Sequence, residues 1–299
     1  MFVGITAGLA AGALWGMVFV VPRMTLGLSS VDLTAGRFIS YGVMSMLVMA
    51  FTWRRQALPT FSQTLAALGM SVLGATGYYL LLSLSIHRVG SEVPTLIIGT
   101  IPIWIMLLGK PSGLRWSSLW PGLVLTTAGL ALMMSAMQPA QTVTESGDSR
   151  FWWGVLLAMA AMVCWTAFAL LNAAWLKRHP EVSVVTWTNW LGMATGLGAW
   201  LLWCFLGSTS NELLALDGIG LIAIICVVSG VGSAWVAGIF WSMASRRLSV
   251  SLCGQLIVSE TLFGLLYSFL WDGAMPSPLQ WVAAVLFTLG ILASIRAHQ

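Results

Sequence analysis

The stretch "TAGRFISYG", Thr34 to Gly42, sets a single arginine into a run that is otherwise apolar or small. Asp32 is the last charge before Arg37, and the next one is Arg54. Farther on, "IVSETLF" at 257–263 does the same with Glu260. A lone charge in such a run has to be explained by what surrounds the helix, so the solvent must be identified first.

Composition identifies it. Hydrophobic residues make up 59% of the chain and charged residues 7%, against about 25% charged in a soluble globular domain. Mean hydropathy is +0.92. A fold of this makeup cannot cover its surface with polar groups, so its solvent is lipid. At about 20 residues per span, 299 residues leave room for about ten helices. Apolar runs lie near 3–22, 33–52, 63–86, 92–109, 116–136, 152–176, 183–206, 218–243, 249–271 and 278–295. The first has no basic n-region, and its Pro22-Arg23 end lacks a small-residue cleavage site, so it reads as a retained helix rather than a signal peptide. The expected fold class is an all-α integral membrane protein of ten transmembrane helices.

The basic residues orient the chain. With a cytoplasmic N-terminus, Arg54, Arg55, Lys110, Arg115, Lys177, Arg178, Arg246, Arg247 and Arg296 fall inside. Arg23, Arg88 and Arg150 fall outside, a nine-to-three positive-inside bias that places both termini in the cytoplasm. Glu92, Glu145, Asp148, Glu212, Asp217 and Asp272 fall outside, and Glu181 inside. The net charge of +4 expresses this bias. The basic residues form isolated pairs with no aromatic-interleaved stripe, so nucleic acid is not an expected partner.

Catalytic and metal chemistry have little to stand on. Cys164, Cys204, Cys226 and Cys253 lie in apolar runs without disulfide or metal spacing. His87, His179 and His298 sit at span ends or in the tail, and no phosphate loop or carboxylate pair is present. The expectation is no catalytic residue, no metal and no cofactor.

An internal repeat divides the chain. "GALWGMVF" opens the first span and "AMVCWTAF" the sixth, setting Trp15 opposite Trp165. "DLTAGRFISYG" faces "VVTWTNWLGMATG", setting Arg37 opposite Asn189. "SLSIHRVGSEVPTLIIGTIPIW" matches "SMASRRLSVSLCGQLIVSETLF". Five spans per half is an odd number, so the copies take opposite orientations. Inverted repeats of this kind are a transporter architecture with a site near the midplane. The expected units are residues 1–137, a polar periplasmic linker at 138–151, and residues 152–299.

These residues resemble a known family. "TIPIWIMLLG" to "PGLVLTTAGLALM", with "SETLFGLLYSFLWDG" to "WVAAVLFTLGILAS", is similar to the paired EamA segments of the drug/metabolite transporter superfamily. Arg37-Phe38 matches that family's arginine-phenylalanine, and Ile101-Pro102 and Glu260-Thr261 stand at its Leu-Pro or Glu-Pro position. Thr261 replaces the proline, and Asp272-Gly273 stands where Gly-Glu is usual. The nearest look is that of amino-acid exporters of the YddG type, which implies an inner-membrane carrier with a central cavity.

Nine residues are candidates for that cavity: Trp15, Arg37, Tyr78, Tyr79, Pro102, Trp165, Trp187, Ser259 and Glu260. Of seventeen tryptophans, Trp53, Trp116, Trp120, Trp152, Trp153, Trp175, Trp241, Trp271 and Trp281 lie at span ends and read as an interfacial belt. Trp15, Trp104, Trp165, Trp187, Trp190 and Trp235 are mid-span, where packing competes with a cavity role. Tyr78 and Tyr79 are adjacent and point apart, so one of them at most faces the cavity. Pro94 and Pro102 free backbone carbonyls in the fourth span. Arg37 reads either as a tether to Asp32 or as a clamp for a substrate carboxylate. Glu260 lies about 16 Å from either end of its span, too deep to snorkel. It reads either as a working carboxylate, holding an ammonium or taking a proton, or as half of a helix contact with Ser259, Thr261 or Arg37. Gly4, Gly8, Gly12 and Gly16 form a small-residue stripe suited to static packing or to a rocking surface.

The expected protein is a multi-pass carrier of the bacterial inner membrane that exports amino acids or similar small metabolites by alternating access. Its partners are a small-molecule substrate and the bilayer, and a monomer suffices. An exporter of cationic drugs is the alternative within the class, and an integral-membrane enzyme the alternative outside it.

Overall fold

A computed structural model describes the chain except for Leu26, 55–57, 90–91, 137–148 and Ala274. The linker expectation, with Glu145 and Asp148, lies almost wholly outside the described residues, as does Arg55. Among the described residues every regular element is a helix. The main ones are α1 (Phe2–Met24), α2 (Ser30–Thr52), α3 (Phe61–Val89), α4a (Glu92–Gly99), α4b (Ile101–Leu108), α5 (Trp116–Ala136), α6 (Ser149–Arg178), α7 (Val184–Leu206), α8 (Ile219–Arg247), α9 (Val250–Asp272) and α10 (Pro278–Ala297).

Nine of these, α1–α3 and α5–α10, are long and apolar enough to cross a membrane, and 93–108 is a shorter apolar segment. Starts are set by caps. Ser29, Thr60, Ser183, Ser249 and Ser277 each accept a bond from a first-turn backbone N–H, satisfying a donor the helix cannot. Gly273, at φ +61, ends α9 in the left-handed region and makes the Asp-Gly turn.

The expected fourth span is two short helices. The ladder tightens at Thr100, where Thr100 N–H donates to Ile97 O at 3.1 Å and Ile103 N–H to Thr100 O at 2.9 Å. Pro102, at the start of α4b, supplies no N–H and crowds the preceding turn. α9 carries Glu260-Thr261 at the corresponding place and continues unbroken. α3 and α8 each contain a π segment, Val72–Thr76 and Gly230–Val236. The offset that aligns Ser83 with Ser242 carries Val72 onto Val231, so the two segments fall at matching places in the two halves of the sequence.

Lipid gives packed helices no hydrophobic driving force, so close approach and polar contacts decide. Neighbour contacts run α1–α8–α2–α7–α3–α6–α4–α9 and back to α1, a ring of eight, with α5 and α10 paired beside α4 and α9. Glycines set the crossings. A Cβ on Gly196 would stand 2.7 Å from Gly42 Cα, so α2 and α7 meet backbone to backbone. The stripe Gly4, Gly8, Gly12, Gly16 lies along α9, against Leu248, Leu256, Ser259 and Gly264. Gln255 of α9, fully buried, donates to Thr126 Oγ1 at 2.8 Å and accepts from Ser294 Oγ at 3.1 Å, fastening α5 and α10.

Candidate functional site

The site begins where α9 changes character. Ser251 to Ser259 are buried without exception, and from Glu260 onward most residues keep accessible surface. α4b packs on the buried half of α9, with Ser251 N–H donating to Gly109 O at 3.1 Å, while α4a packs on α6 and α3. α9 is therefore tightly packed on the side of Gly109 and Ser251, and Glu260 is the first residue of its more accessible half.

Aromatic rings cluster on α1, α6 and α8. Trp15 and Trp165 meet edge to face at 6.4 Å, and Trp241 lies 5.3 Å from Trp15 and 6.4 Å from Trp165. Phe168 adds an edge contact to Trp165 at 6.1 Å. Trp15 and Trp165 stay partly accessible and Trp241 is buried beneath them. Beside them, Glu260 is half-buried and has neither a hydrogen bond nor an ion partner among the described residues. It lies close enough to Tyr78 and Arg37 for each to feel its charge, but Arg37 is not within the 4.0 Å of an ion pair.

Arg37 has a different anchor from the one its neighbourhood in sequence suggested. Its Nη2 donates to Ser233 Oγ at 3.0 Å, and its Nε is buried without a partner. The Asp32 tether is not formed. Five residues along a helix is 140° around it, outside the three- and four-residue spacings that bring side chains together. Asp32 instead accepts from Ser29 Oγ, Trp203 Nε1, Ser208 N–H and Ser208 Oγ, joining the start of α2 to the end of α7. Asn189, the repeat partner of Arg37, accepts from Trp235 Nε1 at 2.8 Å. Arg37 and Asn189 thus both hold the π segment of α8, a feature that sequence reasoning missed. π bulges gather at functional sites, and the trace in the sequence is the glycine pair of "GVGSAWV".

The other candidates separate. Tyr78 stands on the Glu260 side. Tyr79 turns the other way, and its hydroxyl donates to the Ser30 carbonyl. Pro102 is partly accessible at the break. Ser259 is 1% exposed, faces Gly12 and donates to Leu256 O at 2.6 Å, so it belongs to the α1–α9 seam. Trp187 is 0% exposed, stacked on Trp175 at 3.6 Å and bonded to Asn172 Oδ1 at 2.7 Å, which makes it core. Seven of the nine belt tryptophans are exposed. Trp175 and Trp241 are not, because their faces of α6 and α8 turn into the bundle.

The arrangement offers a negative group, a positive group and an aromatic cluster, and no cluster of metal-ligating side chains occurs among the described residues. Comparison with known proteins gives the family. The Escherichia coli K12 inner membrane protein YtfF is 29% identical over 316 aligned positions, which cover 99% of this chain and 96% of that one. A solved crystal structure, 18% identical, shares the fold at a TM-score of 0.79, with 99% of this chain on 97% of the other. The sequence profile of the EamA-like transporter family matches residues 2–135 and again 152–296. The chain belongs to the EamA-like transporter family, within the drug/metabolite transporter superfamily.

Proposed function

We propose that the chain is an inner-membrane exporter of amino acids or similar small amphipathic metabolites, working by alternating access. The observation that carries this is Glu260, a carboxylate deep in α9 that has no partner among the described residues, and we take Arg37 and the Trp15–Trp165 pair as the groups that complete its site. A substrate ammonium is received by Glu260, its carboxylate by Arg37, and its apolar part by the indoles, where a cation over a ring adds attraction. A carboxylate at bilayer depth with no protein partner is tolerated when it is hydrated, neutralised or matched by a ligand cation.

The same reading takes the spans as ten, in two five-helix repeats of opposite orientation. Three features support it. Equivalent helices pair with each other: α2 with α7, α4 with α9, and α5 with α10. The contacts of α1 with α8 and α9 are answered by those of α6 with α3 and α4. The π segments coincide, and the family profile matches twice. The positive-inside bias then puts both termini in the cytoplasm. The whole ring comes from one chain, so a monomer suffices.

A second reading, export of organic cations, is favoured by one observation: Arg37 already has Ser233, while Glu260 has nothing. Flux in proteoliposomes separates them. Under the first reading Glu260→Gln and Arg37→Gln both abolish uptake of labelled amino acids, under the second only Glu260→Gln matters and the transported probes are cations. Wild-type protein that moves neither class would sink both.

A further inference from the structure

Between α2, α3 and α7 lies a cavity of about 210 Å³ that the midplane site does not use. Its walls are the Val31–Phe38 face of α2, the Thr76–His87 face of α3, and Ala199, Leu202 and Leu206 of α7. It belongs to the inside of the bundle. Trp200, Leu201 and Phe205 of α7 are exposed on the opposite face, as Val43, Met46 and Leu47 are on α2. It adjoins Arg37 along α2, since Thr34, one turn before Arg37, and Phe38, next to it, both line the cavity. Its frame is held in place. Asp32 bonds α2 to the end of α7, Tyr79 reaches across to the Ser30 carbonyl, and Gly198 lets Thr76 of α3 sit against α7.

We propose that this cavity is the subsite for the apolar side chain of the substrate, and that Ala35, Leu80 and Ala199 set its size. This rests on the amino-acid reading above. The lining is mainly Ala, Leu, Val and Phe, so it has little to offer a charged group. Whole drug-sized ligands take pockets of about 300–1,000 Å³, and an apolar cavity of about 150 Å³ accepts benzene. The cavity therefore matches one side chain, a branched aliphatic or a single ring, and not a whole molecule. A substrate whose charged end is held by Arg37 can lay that side chain along the Thr34–Phe38 face of α2.

The test uses the full chain in proteoliposomes and in detergent. Ala199→Leu fills the subsite and Leu80→Ala enlarges it. The ratio of leucine and phenylalanine uptake to alanine uptake falls at least about tenfold in Ala199→Leu, the scale of one methylene misfitted in an apolar pocket. Leu80→Ala shifts preference from leucine toward phenylalanine. Saturating indole raises the melting temperature of the wild type and not of Ala199→Leu. Equal loss of all three amino acids in a normally melting Ala199→Leu, or no change in any, overturns the subsite and leaves the carrier reading standing. An indole shift without amino-acid flux in the wild type removes the amino-acid reading and the side-chain subsite with it, leaving an apolar cavity of another use. Absence of both removes both.

Discussion

Replacing Asp32 by alanine tests whether the bond network at the start of α2 holds α2 and α7 as one body. The carboxylate accepts from Trp203 Nε1 at 3.0 Å, from Ser208 N–H at 2.9 Å and from Ser208 Oγ at 2.7 Å, besides Ser29 on its own turn. All three longer-range bonds reach the end of α7, and Trp203 Nε1 and Ser208 N–H can only donate. Hydrogen bonds to charged groups contribute about 1.5–3 kcal/mol in soluble proteins. Polar contacts between membrane helices average about 0.6 kcal/mol, with a maximum near 1.7. Three bonds near the upper membrane figure, with two donors stranded, give a loss of about 2–5 kcal/mol. Asp32→Asn keeps an oxygen for Trp203 and Ser208 N–H, and the hydroxyls of Ser29 and Ser208 can turn to accept, so its loss is about 1 kcal/mol. Melting followed by size-exclusion peak height in one detergent should therefore rank wild type above Asn and Asn above Ala. An alanine variant that melts with the wild type would show that the Gly42–Gly196 crossing alone holds the pair.

Four further outcomes are expected. Gly196→Ala drives a methyl to within 2.7 Å of Gly42 Cα and should destabilise by about 1–3 kcal/mol, while Gly69→Ala, with nothing within 4 Å, should melt like the wild type. Trp165→Ala should lower flux far more than Trp281→Ala at equal expression, since Trp165 packs on Trp15 in the proposed site and Trp281 is 57% exposed; equal effects would return Trp165 to packing. A cysteine at Ser149 should react with an impermeant thiol reagent outside intact cells and one at Lys177 should not; the reverse pattern would invert the orientation. Glu212, outside the spans, is held below the usual carboxylate range by the Thr209 backbone N–H at 2.7 Å and then by the Thr209 hydroxyl. A depressed carboxyl stabilises the folded form above its unfolded pKa and stops doing so as pH falls through its folded value. The protection factors of the Ser210–Leu214 amides, that is, exchange corrected for its intrinsic slowing in acid, should therefore fall on acidification below the carboxylate range, and Glu212→Gln should remove that pH dependence.

The spans were legible because a membrane makes hydropathy nearly one-dimensional: apolar residues collect where the lipid is, whichever way they face. The same fact hides rotation. With an apolar solvent and an apolar core, a helix carries no stripe to say which side is inside, so Trp241 and Trp187 could not be told from belt and cavity residues. Glycines and polar residues kept some of that information. The Gly4–Gly16 stripe lay along α9, and the alternation of Tyr78 and Tyr79 fixed that only one of them would look toward Glu260. The π segments carried no readable signal beyond their glycines, and with them went the partners of Arg37 and Asn189.

The tightly packed half of the ring is held less completely than its burial suggests. Its links are single polar contacts: Thr188 with Ser242 at 3.3 Å, Ser251 N–H to Gly109 O, and Arg246 to the Val182 carbonyl. Around them Asn172 Nδ2, Trp190 Nε1, Trp241 Nε1 and Ser251 Oγ are buried without a partner among the described residues. Each such group costs about 1–3 kcal/mol relative to a satisfied one, and these lie in the tightly packed half. A seam that is both polar and under-bonded gains partners when water enters, which offsets the contacts it loses on opening. Two states that differ by only a few kcal/mol are what a carrier needs, since a ligand shifts an equilibrium by no more than its differential affinity for the two. An apolar seam of the same length would have gained nothing from water.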